Sequence, residues 1–399
     1  MIKSTLAVAI SSALIFTSPI SKADWQDTLQ AAQGQTVYFN AWGGADNINQ
    51  YIQWAADRIE DQYQVTLKQV KLTDTADAVN RVLAEKAAGQ DKQGSIDLIW
   101  LNGENFRAMK DNQLLFGPFS QTLPNYQRYV DENARQSLTQ DFGTKVDGME
   151  SPWGMAQVIF MYDTETLSTP PKSMAQLLAY AQANPGRITY PEPPQFLGST
   201  FLKQALYELS PHRKVLSQPV DQVDFKKVTA PLWAYLDQLH PVAWRSGQNF
   251  PSGAEEMMRL LDDQEIDVAL SFDVSAASVQ IDQGNLPDTV RSYVFQNGTI
   301  GNTHFLAIPY NSSATAGAQV VANFLLSPEA QIHKQTPTVW GDLSVLSYDK
   351  LSASDQQKFD DLPRGIATLS IEELGQTLPE PHSSWVSALE TEWRKRYAH

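Results

Sequence analysis

The chain has 399 residues, no cysteine, 19% charged and 10% aromatic side chains, and a formal charge of −15. Without cysteine there is no disulfide, thiol nucleophile, thiolate metal site or lipid attached through a lipoprotein cysteine. An acidic balance without clustered Lys and Arg excludes a nucleic-acid partner, whose phosphates demand a basic surface.

The N-terminus reads as a secretory leader. Lys3 supplies the positive start, Leu6 to Phe16 the apolar stretch, and Ser21-Lys22-Ala23 the small residues at a cleavage site. Eleven mostly apolar residues are too few to span a bilayer. Cleavage is therefore expected between Ala23 and Asp24, with residues 1–23 removed and the mature protein soluble and free. Losing Lys3 and Lys22 takes the charge from −15 to −17. A chain of this length is expected to form two lobes.

Next come alternating strands and helices. Thr36 to Ala41 reads as a strand, broken by Trp42-Gly43-Gly44. Ile48, Tyr51, Ile52, Ala55, Ile59 and Tyr63 recur at helical spacing. Val65 to Val70 is a second strand, Ala76 to Ala87 a second helix, and Ile96 to Leu101 a third strand. That order implies a parallel sheet, with ligands at the carboxyl ends of its strands. In a second α/β unit, Ser173 with Gln176 and Ser252 with Glu255 form capping-box patterns. Arg187 to Tyr190 and Ile266 to Phe272 read as strands, and Gly198 to Glu208 as a helix. Residues 151–163 and 303–311 are extended apolar runs suited to crossing between lobes, and Ser383 to Arg396 is a closing amphipathic helix.

Four stretches, FNAWGGADNINQYIQW (39–54), DLIWLNGENFRAMKDNQLLFGPF (97–119), SPWGMAQVIFMYD (151–163) and FLAIPYNSSATAGAQVVANFLLSPEAQ (305–331), carry a resemblance. In this order the chain resembles the extracellular solute-binding proteins of bacterial ABC importers. Within them it is most similar to the YnjB-like group, related to the polyamine-, thiamine-, iron- and maltose-binding receptors. The resemblance implies a type II periplasmic binding fold, α/β with two hinge-linked, discontinuous lobes. They are placed at 24–152 with 302–340 and at 153–301 with 341–399. It further implies a monomer without cofactor, whose cleft closes on a small molecule and hands it to a membrane permease.

A receptor cleft needs aromatic faces and a few fixed polar groups, and the strand-end loops offer both. From the first lobe come Trp42, Gly43, Gly44 and Asn47, then Asp74, then Asn102, Glu104 and Asn105. Gly43-Gly44 equally suits a plain turn and Trp42 a core, while Glu104 and Asp74 equally suit a helix start. Toward the second lobe stand Trp153, Gln157, Tyr190, Glu192, Ser199, Thr200, Phe272 and Asp273, with Asn302, His304 and Trp340 on returning segments. A helix start at Gly198-Ser199-Thr200 favours an anion and Glu192 a cation. His304 suits a structural hydrogen bond as well as a ligand contact. Ten tryptophans and the negative charge are compatible with an organic cation such as thiamine or a polyamine. A sugar ranks second, and the absence of a Tyr-Tyr pair argues against iron. No hydrolase elbow, zinc-protease helix, phosphate loop or dinucleotide fingerprint occurs, and the six histidines lack ligand spacing. An enzyme is therefore not expected; a secreted hydrolase and a sensor docking on a signalling receptor are the rival readings.

Overall fold

The computed structural model describes residues 22–398, so the predicted leader up to Ser21 lies outside them. The chain opens as α1 (Lys22–Ala32), β1 (Thr36–Trp42), α2 (Asp46–Tyr63), β2 (Thr66–Leu72), α3 (Thr75–Ala87), β3 (Leu98–Leu101) and α4 (Gly103–Asp111). α5 (Pro124–Tyr129) and a small hairpin, β4 (Gln140–Asp141) with β5 (Thr144–Lys145), lead to β6 (Glu150–Gln157) and β7 (Ile159–Asp163). The second unit holds α6 (Met174–Ala183), α7 (Phe196–Leu209), α8 (Phe225–Leu239), α9 (Ala254–Asp262), β8 (Ala269–Ser271), α10 (Ala276–Asp282) and β9 (Val290–Tyr293). The chain returns through β10 (Thr299–Ala307), α11 (Thr315–Leu325) and α12 (Pro328–Gln335). It ends with α13 (Ala353–Asp360), α14 (Ile371–Leu374), β11 (Thr377–Leu378) and α15 (Ser384–Tyr397).

In the larger sheet the order is β11-β10-β3-β1-β2, with β6 also paired to β10. β1 runs parallel to β2 and to β3, as the strand–helix alternation requires. All three therefore deliver their carboxyl ends, Trp42, Leu72 and Leu101, to one edge. β10 is antiparallel to both β3 and β6, with a bulge between His304 and Phe305. The smaller sheet, β8-β7-β9, is antiparallel. β6 with β7, and β10 on its return, connect the two sheets.

Side-chain alternation on the first sheet divides its core between two faces. Phe39, Leu98, Trp153 and Leu306 pack with Ile52, Val321 and Phe324 on one, while Ile99 and Leu101 pack with Val79, Val82, Phe106 and Met109 on the other. A separate core of Phe160, Leu202, Leu236, Leu260, Trp385 and Trp393 surrounds the second sheet. Trp153 and Met155 lie in the first core. So does Val345, and the stretch after it is tied there by the Ser347 N–H donating to the Tyr129 carbonyl at 2.8 Å.

Local signals behave unevenly. Ser173 caps α6 by accepting from the Gln176 N–H. Ser252 differs from its expected capping role: Gly253 is the N-cap of α9, and the Ser252 hydroxyl bonds Glu256 at 2.9 Å instead. The strand expected at Arg187 to Tyr190 is a single bridge, Ile188 to Val268, because the Pro-rich turn at 191–194 ends it.

Candidate functional site: the interlobe cleft

Two groups of side chains meet between the cores, one on each flank of the strand ends. On the first flank, α4 begins at the end of β3. Its Gly103 N–H donates to Asp141 Oδ2 at 2.7 Å, anchoring the β4–β5 hairpin to the helix. Gly103 has φ +64°, a left-handed conformation that favours glycine. Beside it Phe142 faces the second lobe, and its carbonyl accepts from the Ser383 N–H at 3.0 Å. There the buried ion pair of Lys203 and Glu380 closes at 2.6 Å. Asn302 donates to the other oxygen of Glu380 at 3.4 Å. Ser199 donates to Glu390 at 2.6 Å.

This flank is rich in carboxyls. Burial, with the fields of Glu380 and Glu104, pushes Asp141 well above the usual carboxylate range, against the pull of the Gly103 N–H. Burial raises Glu380 despite Lys203, and raises Glu390, with Glu104 adding to both. Behind Asp141, Glu150 is fully buried and neither of its oxygens has a hydrogen-bond partner. Burial and the charge of Asp141 lift it too, which is the behaviour of a carboxyl held neutral.

On the second flank the loop after α12 meets the end of β8. Ser275 donates to the Gly341 carbonyl at 3.0 Å, a contact between the two units. Asp342 accepts from Lys334 and lies 3.1 Å from His304 Nε2. Burial works against this carboxylate, yet Lys334 and His304 together hold it below its ordinary value. Asp273, half-buried, accepts only the Ser275 N–H at 2.9 Å. Burial pushes it up to about 7, with Asp342 adding to the rise and the Ser275 bond opposing it. The wall here is aromatic: His304 stacks on Trp340 at 6.2 Å and meets the edge of the half-buried Trp100 at 5.3 Å.

The expected site residues sort by exposure. Trp42 is 40% exposed at the strand-end edge, with its ring against Gly44 so closely that an added Cβ would sit 2.3 Å from it. Gly43 extends the ladder by donating to the Leu72 carbonyl at 2.9 Å. Asn47 and Asn105 are half-buried in the first turns of α2 and α4, Asn102 is the N-cap of α4, and Glu104 is exposed. Asp74 is exposed and caps α3 through the Ala76 N–H. Phe272 packs edge-to-face with Phe196, 45% exposed, at 5.2 Å. Glu192 is exposed in the turn before α7.

Several others are held in the interior. Trp153 is fully buried among Phe39, Trp100 and Trp340. Tyr190 is fully buried, bonded to His240 and to the Trp393 indole at 2.8 Å each. Gln157 is consumed by Thr299, Thr377 and the Leu374 carbonyl. Thr200 is fully buried. The expected helix start also moves. α7 begins at Phe196, and Gln195 Oε1 already accepts the Leu197 and Gly198 N–H groups, which removes the anion-binding end inferred at Gly198-Ser199-Thr200.

The structure brings to these two flanks further residues that the sequence reading did not single out: Trp100, Asp141, Phe142, Phe196, Lys203, Ser275, Asp342, Glu380 and Glu390. One signal was available: Lys203 is the only charge on the inward face of the apolar run FLGSTFLKQALYEL. A cavity of about 720 Å³ also opens beside β6 and β10. Arg135, Met155, Ser344, Tyr348 and Thr377 help to line it, and of the expected site residues only Gln157 and Asn302 do so. Among the described residues no group of three or more His, Asp or Glu could hold a metal ion, and no helix is long and apolar enough to cross a membrane.

Comparison with known proteins agrees with this architecture. Residues 54–346 match the family model of the bacterial extracellular solute-binding protein. Protein YnjB of Escherichia coli (strain K12) is 45% identical over 383 residues, covering 96% of both chains. Among solved structures, the periplasmic binding protein AfuA from Actinobacillus pleuropneumoniae, with fructose-6-phosphate bound, superposes with a TM-score of 0.61 at 14% identity, covering 91% of this chain and 98% of that one. A periplasmic thiamin binding protein gives 0.60 at 18% identity, covering 91% and 95%. A putative spermidine/putrescine ABC transporter protein from Listeria monocytogenes gives 0.59 at 16% identity, covering 91% and 99%. The fold is thus that of the type II periplasmic binding proteins, and the chain belongs to the bacterial extracellular solute-binding protein family.

Proposed function

We propose that this protein is the periplasmic receptor of an ABC importer, binding a small organic cation between its lobes and delivering it to the membrane permease. The observation that carries the cation is the surplus of carboxyls around the cleft. Glu104, Asp141, Glu380, Glu390, Asp273 and Asp342 stand against Lys203, Lys334, His304 and Arg394, and burial raises four of the six carboxyls. A carboxyl raised by burial regains its charge when a cation arrives, so the gain on binding is concentrated on a positive ligand. Exposed rings at Trp42 and Phe196 supply faces for an organic cation. The filled N-terminus of α7 removes the feature that favoured an anion.

In this reading the leader is cleaved after Ala23 and the protein works as a monomer without catalysis. The cleft closes by rotation about β6, β10 and the segment before α14. The first lobe then takes in Trp153, Met155 and the chain to about Val345, following the cores. Binding should be read by thermal shift on protein unfolded and refolded to strip carried ligand, against thiamine, its phosphates, polyamines, sugars and anions. A cation at 100 times its dissociation constant adds about 2.7 kcal/mol of stability. Stabilisation by sugars or anions alone would refute the cationic cargo.

A further inference from the structure

A buried ammonium of the protein's own stands between the hairpin and α7. Lys203, on α7, is 1% exposed, and its Nζ lies 2.6 Å from Glu380 Oε2. The same nitrogen stands 4.9 Å from the ring centroid of Phe142 and 5.5 Å from that of Phe196. The rings come from different parts of the molecule. Phe142 sits on the hairpin that Asp141 fastens to α4, and Phe196 opens α7 with its ring 45% exposed. Two aromatic faces and a carboxylate around one ammonium are the elements with which proteins recognise organic ammonium ions. Here they close on the protein's own side chain, across the line where the lobes meet.

We propose that Lys203 is a specificity-determining residue, a built-in cation that occupies an ammonium subsite of the cleft. A ligand carrying a second ammonium toward this flank meets a filled cage and a like charge. The cargo is then an organic cation with a single charged centre, held toward Asp273 and the Trp340 wall, in preference to a diamine or polyamine. This rests on the cation reading and narrows it.

Lys203→Ala removes the atoms from Cγ to Nζ, which correspond to n-propylammonium. Titration calorimetry of wild type and variant with n-propylammonium, and with propan-1-ol as its neutral counterpart, tests the assignment without knowledge of the cargo. Propylammonium should bind Lys203→Ala at least about tenfold more tightly than wild type, and propan-1-ol should show no such gain. Equal binding to both proteins, or an equal gain with the alcohol, would overturn it. Should the variant not fold alone, recovery of its melting transition with propylammonium but not propan-1-ol supports the assignment, and absence of recovery overturns it. Failure of the cation reading would register separately, as wild-type protein indifferent to every cation in the thermal-shift panel.

Discussion

Among the described residues two lysine–carboxylate pairs are buried, and their surroundings differ. Lys334 and Asp342 sit within the first lobe's aromatic wall. Lys334 also donates to the Leu343 carbonyl at 3.0 Å, and Asp342 has His304 as a second partner. Lys203 and Glu380 bridge α7 to the C-terminal segment, with Asn302 as a weak third partner and Phe142 of the opposite lobe against the ammonium. The first pair is saturated by hydrogen-bonding neighbours, the Leu343 carbonyl and His304. The second pair closes between α7 and the C-terminal segment, and the Phe142 ring of the hairpin lies against its ammonium. A charge saturated by polar neighbours supports structure; a charge faced by an aromatic ring from another part of the chain can be coupled to a ligand.

That contrast can be broken by mutation. The largest effect is expected from Lys334→Met, which leaves Asp342 buried with only a histidine. Stability by urea unfolding should fall by about 3–5 kcal/mol. A loss no greater than that of an exposed substitution would mean the pair is not integral to the lobe. Asp273→Asn comes next, and should weaken cation binding by about 1–3 kcal/mol in calorimetry while leaving the fold intact.

The same residue carries the pH dependence. Its folded value near 7 lies above the ordinary carboxyl value of 3.8. In the free protein its contribution to stability is full below the ordinary value and declines as pH rises through about 7. A cation prefers the ionised form, so binding should release a proton below pH 7 and affinity should rise from pH 6 toward 8. Asp273→Asn should flatten that rise; an unchanged slope would move the titrating group elsewhere, with Asp141 or Glu390 next to be examined. Trp42→Ala is expected to cost about 1 kcal/mol of binding by loss of an aromatic face. Smallest is Asp74→Ala, which should lower stability by about 1 kcal/mol through its lost cap and leave affinity unchanged. A loss of affinity there would put α3 in the site.

Much of the fold was legible because period and punctuation agree. Thr36 to Ala41, the Ile48–Tyr63 stripe and Ser383 to Arg396 each lie within a residue or two of the observed elements. Ser252 misled because the following Gly253 takes an extended φ of 164°, which moves the helix start one residue on and makes Glu256, not Glu255, the reachable partner. The candidate site was half legible. Strand-end positions such as Trp42 and Glu104 follow from the parallel order of β1 and β3, and Asp273 from the end of the expected strand at Ile266 to Phe272, whose observed part, β8, is antiparallel to β7. Trp153 and Tyr190 have the same composition as cleft aromatics but pack inward, and residue type alone does not tell the two apart. Asp141, Phe142 and Glu380 lie in segments without periodicity, where only tertiary contact brings them to the cleft.

The most direct measurement is calorimetric titration of refolded wild-type protein with thiamine, a diamine, a neutral sugar and an anion, each repeated at pH 6 and pH 8. An acidic cleft with its own lysine at one end predicts that the single-centre cation binds most tightly and gains affinity at the higher pH. Preference for the sugar or the anion, or cation binding unaffected by pH, would contradict it.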